Sequence, residues 1–294
     1  NADDESGVFL NRGLQGRYPP GSTFKIVTSL AYLRQNGTLD GFSFDCDGEL
    51  TAGNYTIHCS GGEVHGPEDF AGAFAHSCNS AFAQIGLGLD KDAFRSLADS
   101  LYLNSRLDTI MANVTAGIGA VDPTVYKKPY HYFISPHDDA NAYCTIGHNV
   151  NVYKGIFNLF PTDDEIAVVI GHELGHGQKD HPIQGVKKSL NAAVLAEMAN
   201  AATGGMASGA IGQLYTYTRN VHLSKPMEWE ADNLAFDYIT HTNYNPGATA
   251  AVWQRFLEKY GNMNVHWSDH PTCTERRENY VKKLNAWSNK HVDN

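Results

Sequence analysis

Two histidines four residues apart, on a segment with a strong helix-start signal, constrain this chain more than any other feature of its sequence. His172 and His176 enclose Glu173 in the pattern His-Glu-x-x-His, and a spacing of four places both imidazoles on one face of an α-helix. Thr162 followed by acidic residues at 163–165 predicts the N-terminus of that helix, because threonine caps helices and acids favour the first turn. Two nitrogens can therefore reach one metal ion, with a carboxylate beside it.

A catalytic zinc needs a third protein ligand and an open fourth position. Glu228 supplies a candidate ligand at the start of a predicted helix that runs over 225–240. Asp232 falls one turn later on the same face, where its carboxylate can hold a ligand imidazole by the other ring nitrogen. Glu230 faces elsewhere on this helix, and His181, five residues beyond the pair, is expected at the surface as a residue without a metal role.

The apolar pattern of the chain predicts an α+β fold that is mainly helical, with one small sheet. Besides the helix that begins after Thr162, helices are predicted over residues 22–34, 90–103, 107–118, 225–240, 248–260 and 273–287, and strands over 130–134 and 142–153. The Ala- and Gly-rich segment 190–214 is predicted as two small-residue helices and not as a membrane hairpin, because Ala and Gly supply little apolar area.

Charge and hydropathy exclude several classes of protein. Lys and Arg number 22 against 32 Asp and Glu, a net charge of −10, so sustained nucleic-acid binding is not expected. We find no apolar run of about 18 residues, so no integral membrane segment is expected. The acidic start, residues 1–5, has none of the character of a signal peptide.

The cysteines are few and scattered. There are five in the chain, without a C-x-x-C pair, so neither a disulfide scaffold nor a cysteine metal site is expected. Cys46 and Cys59 flank a hairpin-like stretch, which leaves a disulfide between them open and with it an oxidising compartment.

From about residue 105 to 294 the chain resembles the gluzincin metallopeptidases of the HtpX, CAAX prenyl protease, BepA and OMA types. The resemblance rests on four segments in the family's order: Asn141-Ala142-Tyr143, His172 to His176, Glu228 to Asp232, and His270-Pro271 followed by Glu275, Arg276 and Arg277. It implies a zincin-like domain with a small β-sheet that hydrolyses peptide bonds in a protein or peptide substrate.

The resemblance also implies roles for individual residues. The family binds one zinc ion, and its ligands match three residues: His172, His176 and Glu228. Glu173 matches the general base that takes a proton from water, and Asp232 lies behind the ligands. His270 matches a histidine that approaches the metal or stabilises the oxyanion, and Asn141 lies where the family places a group that contacts the substrate or transition state.

Residues 1–104 carry a different resemblance. Ser22 and Lys25 form a Ser-x-x-Lys pattern, and Ser77 and Asn79 follow in a second motif, so this part resembles a portion of the transpeptidase domain of penicillin-binding proteins. Ser22 would be the acyl-accepting nucleophile and Lys25 its base. The K-[TS]-G strand of that family is missing from the sequence, so an inactive fragment is expected here.

The sequence therefore predicts a partial penicillin-binding transpeptidase-like region over 1–104 and a zinc metallopeptidase domain over 105–294. Both families imply an extracytoplasmic bacterial setting, in the cell envelope or secreted, with envelope protein quality control as the family-level role. Two alternatives stay open. One is a penicillin-binding serine acyltransferase that takes peptidoglycan or a β-lactam at Ser22, and the other is a catalytically silent peptidoglycan- or protein-binding module.

Overall fold

The structure, a computed structural model, describes residues 20–188, 190, 223–262 and 271–292. It divides into two compact units, Asn1–Leu103 and Asn104–Asn294. Among the described residues, no helix combines the length and the apolar character that crossing a membrane requires. The predicted helices of segment 190–214 lie outside the described residues, apart from residue 190.

The first unit combines short strands with three helices before the long helix α4. Its elements are α1 (Phe24–Asn36), β1 (Ser43–Cys46), β2 (Glu49–Ala52), β3 (Tyr55–His58), β4 (Gly66–Asp69), α2 (Phe70–Ala75) and α3 (Asn79–Leu87). Strand β1 pairs antiparallel with β4, and β2 pairs antiparallel with β3. The core between them contains three cysteines and the rings of Phe70 and Phe82.

Helix α4 (Lys91–Val121) contains the boundary between the units. Two helices were predicted here from the sequence, over 90–103 and 107–118, whereas the structure has one continuous helix. The residues between them, 104–106, include neither glycine nor proline, so nothing in the chain interrupts the helical backbone.

The second unit packs helices against a three-stranded sheet. After α4 come β5 (His131–Ser135), β6 (Ala142–Thr145), β7 (Asn149–Tyr153), α5 (Lys154–Leu159), α6 (Asp163–Gln178), α7 (residues 181–188), α8 (Lys225–Thr240), α9 (Ala248–Tyr260) and α10 (Cys273–Val292). The strand order is β5-β7-β6, with β5 parallel and β6 antiparallel to β7. Strand β6 is therefore an edge of the described sheet, and the short helix α5 was not predicted.

Helix α6 begins as the sequence predicted. The Thr162 side chain accepts the backbone N–H of Glu165 at 3.3 Å and donates to its carboxylate at 2.9 Å. The Glu165 carboxylate also pairs with Arg255 of helix α9. The cap thus satisfies a backbone donor that the first turn of a helix leaves without an intrahelical partner.

Helices α6 and α8 approach each other closely because small residues face each other between them. A Cβ atom at Gly175 would lie 3.3 Å from Ala231 Cα, and one at Gly171 would lie 3.6 Å from Ala235 Cα. Ala231 and Ala235 are fully buried in this contact. The close approach carries the N-terminal turn of α8, with Glu228, to the histidines of α6.

Helix α4 meets α8 through Gly117, and we expect Gly117→Ala to lower the free energy of unfolding of the second unit by about 1–3 kcal/mol. The added Cβ would lie 2.6 Å from the Tyr238 carbonyl oxygen and 2.7 Å from Thr242 Cγ2, and the backbone of a buried helix cannot move aside easily. Urea denaturation followed by tryptophan fluorescence measures the loss, because all four tryptophans lie between residues 229 and 287.

Gly119→Ala on the same helix is the matched control. The three heavy atoms nearest to its Cβ would all belong to the side chain of Tyr126, which is 64% exposed and can rotate into solvent. This variant should therefore lose less stability than Gly117→Ala, and equal losses in the two variants would contradict the packing argument.

Candidate metal centre and active site

Helices α6 and α8 bring three buried donor residues to one point. His172 Nε2 lies 3.0 Å from His176 Nε2. One Glu228 carboxylate oxygen lies 3.5 Å from the first nitrogen, and the other lies 3.5 Å from the second. The three side chains are buried and form a group that could hold one metal ion. Two imidazole nitrogens and a carboxylate oxygen are the donors of a catalytic zinc with three protein ligands. The donor set therefore fits zinc.

The carboxylate of Asp232 lies behind the first histidine. Its Oδ1 atom is 2.9 Å from His172 Nδ1, and Tyr280 donates its hydroxyl to the Asp232 carbonyl at 3.0 Å. Asp232 is fully buried. Burial opposes its ionisation, but Arg276 and His172 outweigh burial and lower the pKa of Asp232. A charged Asp232 orients His172 so that Nε2 faces Glu228.

Arg276 on helix α10 holds this carboxylate, a role that the sequence analysis did not assign. Its Nε atom donates to Asp232 Oδ2 at 2.7 Å, and Nη2 donates to Oδ1. The side chain is 6% exposed, and its guanidinium lies 3.5 Å from the Trp253 ring centroid. The sequence does contain a signal for its burial, because Arg276 lies four residues before Tyr280 and therefore on the same helix face.

His181 lies behind the second histidine, and the expectation that it is a surface residue is wrong. It is 1% exposed, its Nδ1 lies 2.9 Å from His176 Nδ1, and its Nε2 lies 3.2 Å from Glu230 Oε2. The backbone turn after α6 folds this histidine back onto the helix, and Asp180 in that turn has a φ of 54°. Glu230 was predicted to face away from the candidate metal ligands. Its carboxylate instead contacts His181, which in turn contacts His176.

Glu173 lies beside the metal group without belonging to it. Its Oε2 atom accepts the backbone N–H of Cys144 in strand β6 at 3.0 Å. Burial raises the pKa of Glu173 to about 7, with Glu228 adding to the rise and His172 opposing it. A carboxyl group with a pKa near neutrality can both take and return a proton at physiological pH.

The two histidines differ in basicity. Burial and Arg276 act to lower the pKa of His172, but hydrogen bonds to Asp232 and Glu228 outweigh them and raise it to about 9. Burial and the neighbouring His172 lower the pKa of His176 well below its usual value. The surrounding carboxylates thus stabilise one positive charge between the two rings, where a metal cation would also be stabilised.

A cavity of about 700 Å³ opens onto Glu173 and the metal group. Strand β6 lines it, with Asn141 at the start of the strand. Cys144 N–H donates to Glu173, so one edge of β6 faces the metal group. Asn141 therefore lies in the same cavity as the other candidate residues, whereas His270 lies outside the described residues.

The four N-terminal candidates also meet, within the first unit. The Lys25 ammonium lies 3.4 Å from Ser22 Oγ, 2.9 Å from Ser77 Oγ and 2.7 Å from Asn79 Oδ1. Burial lowers the pKa of Lys25, which favours its use as a base. Ser22 itself is exposed.

Comparison with known proteins identifies relatives of the larger part of the chain. The sequence model of the family described as Peptidase family M48 matches residues 103–284. Metalloprotease LoiP of Escherichia coli is 28% identical over 202 residues, which are 67% of this chain and 77% of that protein. The beta-barrel assembly-enhancing protease of Yersinia pestis is 22% identical over 185 residues, 58% of this chain and 34% of that protein. These matches confirm the predicted resemblance to metallopeptidases.

A shorter similarity concerns another class of enzyme. The peptidoglycan D,D-transpeptidase PbpA of Mycobacterium tuberculosis is 34% identical over 107 residues, which are 35% of this chain and 22% of that protein. Because this is a small share of both chains, the transpeptidase-like region stays a prediction.

Proposed function

The chain belongs to peptidase family M48 and is a metalloendopeptidase, and we propose that it cleaves proteins with one zinc ion held by His172, His176 and Glu228. The observation that carries the proposal is the convergence of these three donors from α6 and α8, beside a carboxylate that binds no metal. When bound, zinc supplies Lewis acidity that activates water and polarises the scissile carbonyl.

Glu173 is the proposed general base and acid. It takes a proton from the attacking water and delivers it to the leaving amine, a task that its pKa of about 7 suits. The Cys144 N–H bond keeps one carboxylate oxygen in place. Asp232 and His181 orient the two ligand histidines from behind, at distances of 2.9 Å.

Strand β6 is the proposed binding edge for substrate. An extended polypeptide can add to an exposed sheet edge through main-chain hydrogen bonds, and along β6 it would pass Glu173. Asn141 at the start of this strand is the proposed contact to substrate. His270 is the proposed donor to the oxyanion, by resemblance to the family.

The proposed substrates are misfolded proteins of a bacterial envelope, and the proposed location is extracytoplasmic. Support comes from the relative named for assembly of β-barrels and from the similarity to a peptidoglycan transpeptidase. The proposed division into domains 1–104 and 105–294 is supported by the two compact units, whose boundary in the sequence falls between Leu103 and Asn104.

The metal proposal predicts that Glu228→Gln removes one zinc ion per chain and abolishes cleavage of unfolded casein. Glutamine offers zinc a weaker ligand than a carboxylate, so the ion should be lost on dialysis. Asp237→Asn is the matched control, because Asp237 lies on the same helix, is exposed and is outside the metal group. Zinc content and casein cleavage are measured for both variants and for wild type treated with a chelator.

In this experiment Asp237→Asn should keep its zinc and most of its activity. Wild type should lose activity to the chelator and regain it when zinc is added. Unchanged zinc content and cleavage in Glu228→Gln would reject Glu228 as a ligand.

Serine acyl transfer is the second candidate function, and the specific observation in its favour is the contact of Lys25 with Ser22, Ser77 and Asn79. Labelled penicillin tests it directly. A covalent adduct that Ser22→Ala removes would establish acylation at this serine, and no adduct would leave the first unit without this activity.

A further inference from the structure

Three cysteines and a histidine from distant parts of the first unit converge on one point. Cys46 ends β1, Cys59 follows β3, His65 precedes β4 and Cys78 caps α3. Cys59 Sγ lies 3.7 Å from both Cys46 Sγ and Cys78 Sγ, and His65 Nδ1 lies 3.4 Å from Cys46 Sγ. No cysteine metal site was expected from the sequence, because the cysteines form no C-x-x-C pair. The fold brings these four side chains together from four separate segments.

Three of the six separations among these atoms match tetrahedral coordination of zinc, and all four atoms lie within 4.8 Å of one another. With zinc–sulfur bonds of about 2.3 Å and zinc–nitrogen bonds of about 2.0–2.1 Å, tetrahedral ligands lie about 3.7–3.8 Å apart for two sulfurs and about 3.5 Å for sulfur and nitrogen. The observed separations of 3.7, 3.7 and 3.4 Å agree. All five cysteines are free thiols, whereas the expectation left open a disulfide between Cys46 and Cys59.

Hydrogen-bond donors and a positive charge surround the sulfur atoms, whereas burial raises the pKa of the Cys78 thiol to about 12, and a bound metal would deprotonate it. The Ser80 hydroxyl lies 3.0 Å from Cys59 Sγ, and the Lys25 ammonium interacts electrostatically with Cys59 and Cys78. Backbone N–H groups donate to each sulfur: those of Gly48 and His65 to Cys46, that of Ser80 to Cys59 and that of Ala81 to Cys78. Three thiolates and one Zn²⁺ leave a single negative charge, which these donors and Lys25 offset.

His65 is oriented for a metal as well. Its Nε2 atom, on the side of the ring away from Cys46, lies 3.7 Å from a Glu63 carboxylate oxygen. The ring stacks on His76 at a centroid distance of 5.6 Å, and the His65 side chain is 6% exposed. The stacked neighbour restricts the ring, and the Glu63 carboxylate, which is 70% exposed and beyond hydrogen-bond distance, adds only electrostatic attraction to the far nitrogen.

We propose that Cys46, Cys59, His65 and Cys78 bind a second zinc ion, which has a structural role. Four protein ligands close the coordination sphere, and the three cysteines are at most 3% exposed, so neither water nor substrate has a position on the metal. The ion joins β1, the β2–β3 hairpin, β4 and α3, in a unit whose small core is built around these same cysteines. Small domains commonly depend on such a metal for stability.

One proposed ligand lies within the second motif of the transpeptidase-like region. Cys78 stands between Ser77 and Asn79, and Lys25 donates to both of these neighbours. Ser77 has a φ of 53°, a left-handed conformation that is uncommon outside glycine. A metal on Cys78 fixes the backbone at this point and thereby keeps the Lys25 cluster in place.

Metal content of the full chain tests the proposal. We expect two zinc ions per chain in wild type, one in Cys59→Ser, one in Glu228→Gln and none in the double variant. Cys273→Ser is the control, because this buried cysteine lies in the second unit and its loss should leave both ions bound. If only the second unit failed to bind zinc, wild type and Glu228→Gln would each hold one ion and Cys59→Ser none. If only the cysteine group failed, wild type and Cys59→Ser would each hold one ion and Glu228→Gln none, so the two proposals fail separately.

A second measurement needs no variant and so does not depend on one that fails to fold. Wild type loaded with Co²⁺ should show sulfur-to-cobalt charge-transfer absorption in the near ultraviolet, because among the described residues this is the group that offers sulfur ligands to a metal. Its thiols should resist alkylation until a strong chelator is added. His65→Cys should keep the ion and shift the cobalt spectrum.

Two results would overturn the proposal. One is a zinc content that Cys59→Ser leaves unchanged, together with cobalt-loaded wild type that lacks the charge-transfer band. The other is a disulfide between any two of these cysteines, detected by mass spectrometry of the chain after its free thiols are trapped.

Discussion

Glu173→Gln should reduce casein cleavage by about 10²–10⁴-fold, the usual contribution of a positioned general acid–base, without changing the zinc content. Glutamine has nearly the same shape as glutamate, and its carbonyl oxygen can still accept the Cys144 N–H that Glu173 accepts at 3.0 Å. The amide cannot take a proton from water, so only the chemical step is lost. Initial cleavage rates and zinc analysis of the same preparation measure both effects.

Asp237→Asn is again the matched control for this variant. It removes an exposed carboxylate that does not line the cavity, so a general loss of negative charge would affect both variants. A Glu173→Gln protein that cleaves at the wild-type rate would remove the general-base assignment. A variant that loses zinc would instead show that Glu173 supports the metal ligands.

Arg276→Met should lower the free energy of unfolding of the second unit by about 3–5 kcal/mol, the cost of leaving a buried charge without its partner. Asp232 is fully buried, and Arg276 donates to both of its carboxylate oxygens. Methionine keeps apolar contact with Trp253, over which the guanidinium now lies, so the loss reports the charge and not a cavity. Urea denaturation followed by tryptophan fluorescence measures it, because all four tryptophans lie in the second unit.

Two further variants isolate this charge effect. Arg277→Met changes the neighbouring, half-buried arginine and should cost much less. Asp232→Asn in the Arg276→Met background removes the unpaired charge and should recover part of the lost stability. If Arg276→Met costs under about 1 kcal/mol, the buried pair does not carry the energy that its burial implies.

The proposed zinc ligands on helix α6 could be identified from the sequence because they are a local feature. The Thr162 cap and the four-residue spacing of His172 and His176 determine which side chains share a helix face. Glu228 and Asp232 share a face for the same reason. Their approach to α6 also has a sequence basis in Gly171 and Gly175, although only the structure shows that alanines meet them.

The groups around these ligands could not be predicted, because they come from segments that no local pattern connects. Arg276 reaches Asp232 from a helix 44 residues further along the chain, and His181 reaches His176 through a left-handed turn at Asp180. Periodicity reports which face of one element is buried and not which element covers it.

The sequence by itself determined the helix with its two histidines and the glutamate between them, the helix with Glu228 and Asp232, and the metallopeptidase family, since these depend on residue type and short spacing. Only the tertiary structure decided that Arg276 and His181 lie behind these residues, that strand β6 presents its edge to Glu173, and that Cys46, Cys59, His65 and Cys78 meet. These contacts join residues far apart in the chain, and their geometry depends on how the elements pack. Packing is a property of the whole fold, so no single segment of the sequence encodes it.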